Sequence, residues 1–187
     1  MPTPARHFSH LRLRTPRLTL RPLQAGDEAD LFAIFGDPQV MRWWSTPAWP
    51  SMAPAQALVE SDALALASGE SLRLGLVARD GGPVLGTCSL FAFHEDSRRA
   101  EIGYALARAA WGRGLMHEAL SALVAHAFGP LGLHRLEADI DPRNAASARA
   151  LARLGFREEG RLRERWIVGG EVSDSAIWGR LASDPAP

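Results

Sequence analysis

Two glycines that flank one arginine form the segment of this chain best suited to chemistry. Gly112, Arg113 and Gly114 follow a short alternating run that ends at Leu106, and they precede apolar residues at helical spacing. Glycine lets a ligand approach the backbone closely. The first turn of a helix presents N–H groups without internal partners at its positive end. The spacing therefore predicts a turn between a strand and a helix that binds a phosphate or pyrophosphate.

Two commoner phosphate-binding loops do not fit this segment. The chain contains no lysine, so the Gly-Lys-Ser or Gly-Lys-Thr ending of a nucleoside-triphosphate loop is absent. Leucine, methionine and histidine follow Gly114, so the dinucleotide fingerprint G-x-G-x-x-G is absent as well. A loop for a different phosphate-containing ligand and a tight strand-to-helix turn without any ligand both remain open at this point.

A second polar motif opens a helix near the end of the chain. Asp141 and Asn144 are favourable helix-start residues, and Gly155 is a favourable stop. Ser147 follows Asn144 by three residues, and either Asn144 or Asp141 would cap the helix by accepting a backbone N–H. Capping alone explains this spacing, and a functional role is compatible with it.

Together these segments resemble the GNAT superfamily of acetyl-CoA-dependent N-acetyltransferases. The pyrophosphate loop of that family reads Gln/Arg-x-x-Gly-x-Gly/Ala, and here its six positions run from Trp111 to Met116 with the key glycine at Gly114. Trp111 and Met116 depart from the commonest choices and are similar to the ribosomal-protein-alanine N-acetyltransferase branch. The motif N-x-x-S-x-x-x-L-x-x-x-G-F of that branch is matched from Asn144 to Phe156.

The resemblance implies acetyl-CoA as co-substrate and no metal. Loop N–H groups would hold the pyrophosphate, and the preceding strand would pair its free backbone groups with the pantetheine amides. Asn144 would bond the pantetheine arm or the local backbone, and Ser147 would lie near the thioester sulfur. The implied cofactor-binding residues are Tyr104, Ala105, Leu106, Gly112, Arg113, Gly114, Leu115, Met116, Asn144 and Ser147.

Glu101 and Ser147 are the implied catalytic residues. A protonated amine must lose a proton before it attacks, and a carboxylate accepts that proton directly or through water. Glu101 lies on the polar side of its strand, where many GNAT enzymes carry such a base. An ion pair with Arg98 or Arg99 is the alternative role for Glu101, and Glu164 is the alternative base. The Ser147 hydroxyl would hydrogen-bond or protonate the departing thiolate.

The elements that position these residues follow an α/β order. Apolar periodicity, together with helix-start and turn residues, predicts the order β-α-α-β-β-β-α-β-α-β-β. This order resembles the GNAT (acyl-CoA N-acyltransferase) fold, a central mixed, mostly antiparallel sheet with flanking helices, and the resemblance implies a single domain at 11–182. Flexible termini are expected at 1–10 and 183–187.

Composition narrows the class of protein. A chain of 187 residues with 47% hydrophobic and 22% charged residues suits one globular domain. The formal net charge of zero gives no bulk attraction to nucleic acid, so no nucleic-acid partner is expected. Cys88 is the single cysteine, and it is expected to be buried. No apolar run resembles a signal peptide or a membrane span, so a cytoplasmic protein without a membrane partner is expected.

The resemblance implies acetyl transfer to a primary amine by direct attack in a ternary complex. A protein N-terminal α-amino group, as on a ribosomal protein, is the first choice of acceptor, and a small amine is the second. A non-catalytic acyl-CoA-binding module is a further alternative, as is an RNA- or ribosome-associated protein that uses the arginine-rich N-terminus. Trp43, Trp44 and Trp49 either line the acceptor site or pack against the sheet. Monomer and homodimer both remain open.

Overall fold

An eight-stranded sheet forms the centre of the computed structural model, which describes residues 6–185. In chain order the elements are β1 (Leu13–Arg14), β2 (Leu18–Arg21), α1 (Glu28–Phe35), α2 (Ala53–Ser68), β3 (Leu72–Ala78), β4 (Val84–His94), β5 (Arg99–Leu106), a single 3-10 turn (Arg108–Ala110), α3 (Leu115–Phe128), β6 (Arg135–Ile140), α4 (Ala145–Arg153), β7 (Arg157–Val168) and β8 (Glu171–Leu181). The strand order is β1-β2-β3-β4-β5-β6-β8-β7, and within the described residues only β5 and β6 are parallel neighbours. The predicted mixed, mostly antiparallel sheet is confirmed.

Two short elements were not predicted. The strand β1 has two residues, and the turn at Arg108–Ala110 has three. Neither is long enough to produce a periodic apolar pattern, which explains why periodicity missed them. The remaining helices and strands follow the predicted order.

The two faces of the sheet carry separate apolar clusters. One cluster includes Leu120 of α3 and Leu151 of α4, and we call this side the α3 face. The other includes Leu31 of α1, and we call this side the α1 face. Successive residues of β5 alternate between the clusters, with Ile102 on the α3 face and Ala105 on the α1 face. Side chains on β5 can therefore reach ligands on both sides of the sheet.

Both ends of the described chain extend slightly beyond the predicted domain. Phe8 is buried, and its N–H donates to the carbonyl of Leu66. Asp184 accepts a hydrogen bond from the N–H of Leu181. Residues 1–5 and 186–187, where flexibility is also expected, lie outside the described residues. The domain limits of 11–182 remain a prediction.

Cys88 is buried, as predicted. Within residues 6–185, no helix has the length and apolar character needed to cross a membrane.

Candidate functional site

A gap opens in the middle of the sheet between β5 and β6. The two strands pair from Arg99 with Arg135 only as far as Glu101 with Glu137. Beyond that point β5 continues along β4 and β6 continues along β8, so the two strands separate. We call this opening the β5–β6 gap. It provides a strand edge to which an extended ligand can add.

Strand alternation determines which backbone groups face the gap. The N–H of Ala107 donates to the carbonyl of Leu85 at 2.8 Å, so odd-numbered residues of β5 bond to β4. The N–H groups of Tyr104 and Leu106 consequently face the gap. The carbonyl of Leu106 accepts from Trp111 Nε1 at 2.7 Å. The amide of Ala105, predicted to contact the cofactor with its neighbours, faces β4 instead and does not lie on this edge.

The predicted phosphate loop lies immediately after the gap. Gly112 and Gly114 both have positive φ, at 71° and 73°, a conformation that glycine adopts at no steric cost. Gly114 is the N-cap of α3, and a side chain at Gly112 would meet only open space. Leu115 is buried and anchors the helix in the core, while Arg113 is exposed. The loop thus exposes its backbone at the positive end of α3.

The loop is tied to the N-terminal strands by a carboxylate in the first turn of α3. Glu118 accepts from Thr15 Oγ1 at 2.5 Å, from the N–H of Arg17 at 2.8 Å and from Arg17 Nε at 2.6 Å. Burial acts to raise the pKa of Glu118, but these bonds hold it below its usual value. Arg17 also donates to the carbonyl of Arg113 at 2.9 Å. We call Thr15, Arg17 and Glu118 the Glu118 latch.

Two hydroxyl groups join β5 to α4 on the α3 face. The predicted cap is confirmed, because Asn144 Oδ1 accepts from the N–H of Ser147 at 3.1 Å. Ser147 is buried, and its Oγ lies 2.6 Å from the hydroxyl of Tyr104. Burial raises the pKa of Tyr104 to about 12, although the bond to Ser147 acts in the opposite direction. The phenol is therefore protonated near neutral pH and is available as a donor.

Sequence reasoning assigned the Tyr104 side chain to the core and missed this pair. Tyr104 does pack against the α3-face cluster, so the prediction was right about its ring. Nothing in the sequence placed the first turn of α4 opposite β5. The one available signal was that Tyr104 is the only tyrosine of the chain and precedes the glycine loop closely.

Glu101 lies on the opposite, α1 face of β5 and is half-buried. Among the described residues, no cationic side chain lies within ion-pair distance of it. Its proposed partner Arg99 pairs with Glu137 instead, at 2.9 Å. Burial, followed by the charges of Glu137 and Asp139, raises the pKa of Glu101. An unpaired carboxylate with a raised pKa suits a general base.

The alternative base, Glu164, lies in an irregular part of β7. The β7–β8 register shifts between Leu162 and Trp166, and Glu164 has a φ of 50°. Its side chain is exposed, and its N–H donates to Asp174 Oδ1 at 2.8 Å. A bulge of this kind re-aims the following side chains. Arg165, the next residue, forms an ion pair with Asp139 at 3.0 Å.

A polar cluster on the α1 face was not foreseen from the sequence. Ser175 is fully buried and donates to Asp139 Oδ1 at 2.5 Å. Trp166 Nε1 donates to Ser175 Oγ at 3.0 Å. We call Asp139, Arg165, Trp166 and Ser175 the Asp139 cluster. Its members come from three strands without a shared motif, so no sequence signal could have found it.

The three tryptophans between α1 and α2 differ in their surroundings. Trp44 and Trp49 pack against Phe35, with ring centroids at 5.6 and 4.8 Å. The guanidinium groups of Arg42 and Arg143 lie 4.5 and 4.7 Å from the ring centroid of Trp43. The segment between the two helices therefore reaches the start of α4. In residues 6–185 no three His, Cys, Asp or Glu side chains are grouped to hold a metal ion.

Comparisons with known proteins agree with this geometry. Residues 17–157 match the family described as Acetyltransferase (GNAT) domain. The chain is 30% identical over 174 residues to uncharacterized N-acetyltransferase p20 of Bacillus licheniformis, across 93% of this chain and 98% of that protein. It is 29% identical over 120 residues to the ribosomal protein uS5-alanine N-acetyltransferase of Escherichia coli (strain K12), across 64% and 62% of the two chains.

The chain is also similar in three-dimensional structure to a solved protein. Mycobacterium smegmatis RimJ in complex with CoA-disulfide superimposes with a TM-score of 0.80 and 26% identity, across 92% of this chain and 86% of that one. That neighbour holds a CoA derivative. The features that fit such a ligand here are the Gly112–Gly114 loop and the open edge of β5.

Proposed function

The chain belongs to the GNAT family of acetyl-CoA-dependent N-acetyltransferases, and from that premise we propose that it acetylates the free α-amino group of a protein N-terminus. Ribosomal proteins are the first acceptor class, because one relative is named as a ribosomal protein uS5-alanine N-acetyltransferase. The site residues proposed to carry this reaction are Glu101, Ser147 and Tyr104, together with the backbone of the loop.

The arrangement around β5 is the observation that carries the proposal. Glu101 lies unpaired on the α1 face, and the Ser147–Tyr104 hydroxyl pair lies on the α3 face of the same strand. The gap edge runs between them. A thioester held along that edge would have a proton acceptor on one side and a proton donor on the other, as acyl transfer to an amine requires.

The reaction then needs no covalent enzyme intermediate. Glu101 takes one proton from the ammonium group, and the neutral amine nitrogen attacks the thioester carbonyl carbon. A C–N bond forms, the C–S bond breaks, and the CoA thiolate leaves. The acylated nitrogen then loses its second proton to solvent and the thiolate gains one, so the products are the amide and free CoA. The thiolate is a tolerable leaving group because a thiol has a pKa of about 8.5. Ser147 donates a hydrogen bond or proton to the sulfur, and Tyr104 orients and resupplies that hydroxyl.

We expect Ser147→Ala to lower kcat by about tenfold to a hundredfold, at the low end of the usual range for acid–base groups. The acetyl-CoA KM should change little, because the loop and the strand edge hold most of the ligand. Steady-state release of free CoA, followed with a thiol reagent, measures both constants.

Tyr104→Phe provides the matched variant, since it keeps the buried ring and removes only the hydroxyl that bonds Ser147. Its kcat should fall by less than that of Ser147→Ala, and the double variant should be no worse than Ser147→Ala alone. Full activity of Ser147→Ala with a lowered Tm would make Ser147 a helix-start residue only.

An acceptor panel tests the proposed function itself. Peptides with a free N-terminal alanine, serine or threonine are compared with the same peptides carrying a blocked α-amino group, and with small diamines and polyamines. Acetylation of free peptides but not blocked ones supports the proposal. Turnover confined to small amines would replace the acceptor class, and tight acetyl-CoA binding without any turnover would favour a binding module.

A further inference from the structure

The Asp139 cluster lies beside the proposed base, on the same face of the sheet. Glu101 and Glu137 are register partners across β5 and β6, so their side chains share the α1 face. Asp139 follows Glu137 by two residues and therefore lies on that face too. It is also the first residue on this face beyond the paired part of the two strands, at the beginning of the β5–β6 gap.

The two neighbouring carboxylates differ in their partners. Glu137 is satisfied by Arg99 Nη1 at 2.9 Å and Arg135 Nε at 2.7 Å. Asp139 uses Oδ1 for Ser175, but its buried Oδ2 has no hydrogen-bond donor among the described residues. Arg165 Nε lies 3.0 Å from that oxygen, yet its N–H is not directed at it. A buried carboxylate oxygen without a donor is costly unless a ligand supplies one.

The protein holds Asp139 firmly and Arg165 loosely. Ser175 is fully buried and accepts a hydrogen bond from Trp166. Its own hydrogen bond to Asp139 therefore fixes the orientation of that carboxylate. Arg165 comes from the bulged segment of β7, and its side chain is 44% exposed. The half-exposed Arg165 side chain can move into water, and the charge that it leaves on the buried Asp139 carboxylate then needs a replacement cation.

We infer that Asp139 binds the ammonium group of the acceptor beside Glu101, and that Arg165 occupies this position only until an acceptor arrives. The inference rests on the proposed function. The ammonium would donate one hydrogen bond to Asp139 Oδ2 and lose a different proton to Glu101. The resulting neutral amine keeps its bond to Asp139 while its lone pair attacks the thioester carbon. Asp139 is thus an acceptor-binding residue that selects amines arriving as cations.

The test compares three variants of the full chain, with the best peptide or amine of the acceptor panel as probe. Asp139→Asn should raise the amine KM by about tenfold to a hundredfold, the usual range for a lost charge-assisted bond, and leave the acetyl-CoA KM unchanged. Glu137→Gln is the matched control, because it removes a neighbouring carboxylate already satisfied by arginines. Its amine KM should stay within about twofold of the wild-type value.

Arg165→Gln should change the amine KM in the opposite direction to Asp139→Asn. A purely structural role of Arg165 would not produce that change. Removing the competing cation should lower the amine KM by about threefold to tenfold. The charged groups that act on Glu101 are Glu137, Asp139, Arg99 and Arg165. Asp139 raises the pKa of Glu101 and Arg165 lowers it, so the acid limb of kcat/KM should move to lower pH in Asp139→Asn and to higher pH in Arg165→Gln.

Calorimetry gives a readout that does not depend on turnover. The same probe is titrated into wild-type protein and Asp139→Asn, each saturated with CoA, and binding should weaken as the KM rises. Equal binding by the two proteins would overturn the inference while leaving the proposed function intact. An unchanged or raised amine KM in Arg165→Gln would overturn the role of Arg165. If no amine of the panel binds the wild-type protein, the inference and the proposed acceptor class both fail.

Discussion

Gly114→Val is expected to reduce acetyl-CoA affinity by at least about a hundredfold, because it blocks the backbone that would hold the pyrophosphate. Gly114 has a φ of 73° at the N-cap of α3, where a branched side chain is strained. The added side chain would also meet Arg17 Nη2, since an ideal Cβ already lies 3.6 Å from it. Calorimetric titration with acetyl-CoA measures the loss.

Gly132→Val separates backbone strain from loss of the ligand site. Gly132 has a φ of 61°, and a Cβ there would meet open space, so the variant carries similar strain. It lies beyond the opposite end of α3, about 20 Å from Gly114 along a 14-residue helix. We expect comparable losses in Tm from both variants and normal acetyl-CoA binding only in Gly132→Val. A folded Gly114→Val protein with wild-type affinity would show that the loop does not hold the cofactor.

The second large effect is expected for Glu101→Gln, which should lower kcat by about 10²–10⁴ with acetyl-CoA affinity kept. The substitution keeps the shape of the side chain and removes its basicity. Glu101 acts as a base only when ionised, and its pKa is raised by burial, Glu137 and Asp139. As the pH is lowered, activity should therefore be lost at a higher pH than it would be with an ordinary glutamate, whose pKa is about 4.3. A pH profile of kcat/KM tests this limb.

The thermal stability of Glu101→Gln distinguishes a general base from an ion-pair partner at position 101. A carboxyl whose pKa is raised by folding contributes stability at low pH and loses it as the pH rises through the folded-state pKa. Near neutral pH Glu101→Gln should therefore keep or raise the Tm. A lower Tm with most activity retained would support the arginine-pairing alternative. Glu164→Gln is the companion variant, and loss of turnover there alone would transfer the base role to Glu164.

The fold and the cofactor loop were predictable because their signals are local. Apolar periodicity, cap residues and turn residues predicted the four α-helices of the described chain and every strand there longer than two residues. The left-handed positions of Gly112 and Gly114 agree with the glycine requirement inferred from the spacing. The helix cap at Asn144 follows the same logic. Each of these depends on residues within a few positions of one another along the chain.

The polar contacts within the site were not predictable because they join distant segments. Tyr104 and Ser147 are 43 residues apart, and Asp139 and Ser175 are 36 apart. The partner of Arg99 was missed for a related reason, because this arginine bonds to Glu137 on the parallel neighbour β6 and not to Glu101. Which strand lies beside β5 is a property of the topology, and the sequence pattern did not specify it.

The Glu118 latch couples the stability of the N-terminal strands β1 and β2 to ligand binding at the loop. Local opening of a protein proceeds in cooperative units, and a ligand that binds only the closed form suppresses the opening by mass action. Because Thr15 and Arg17 are bonded to the first turn of α3, separating β1 and β2 from the sheet must also disturb the loop at Arg113. Acetyl-CoA should therefore slow amide hydrogen exchange at Leu18, far along the chain from the residues that hold it.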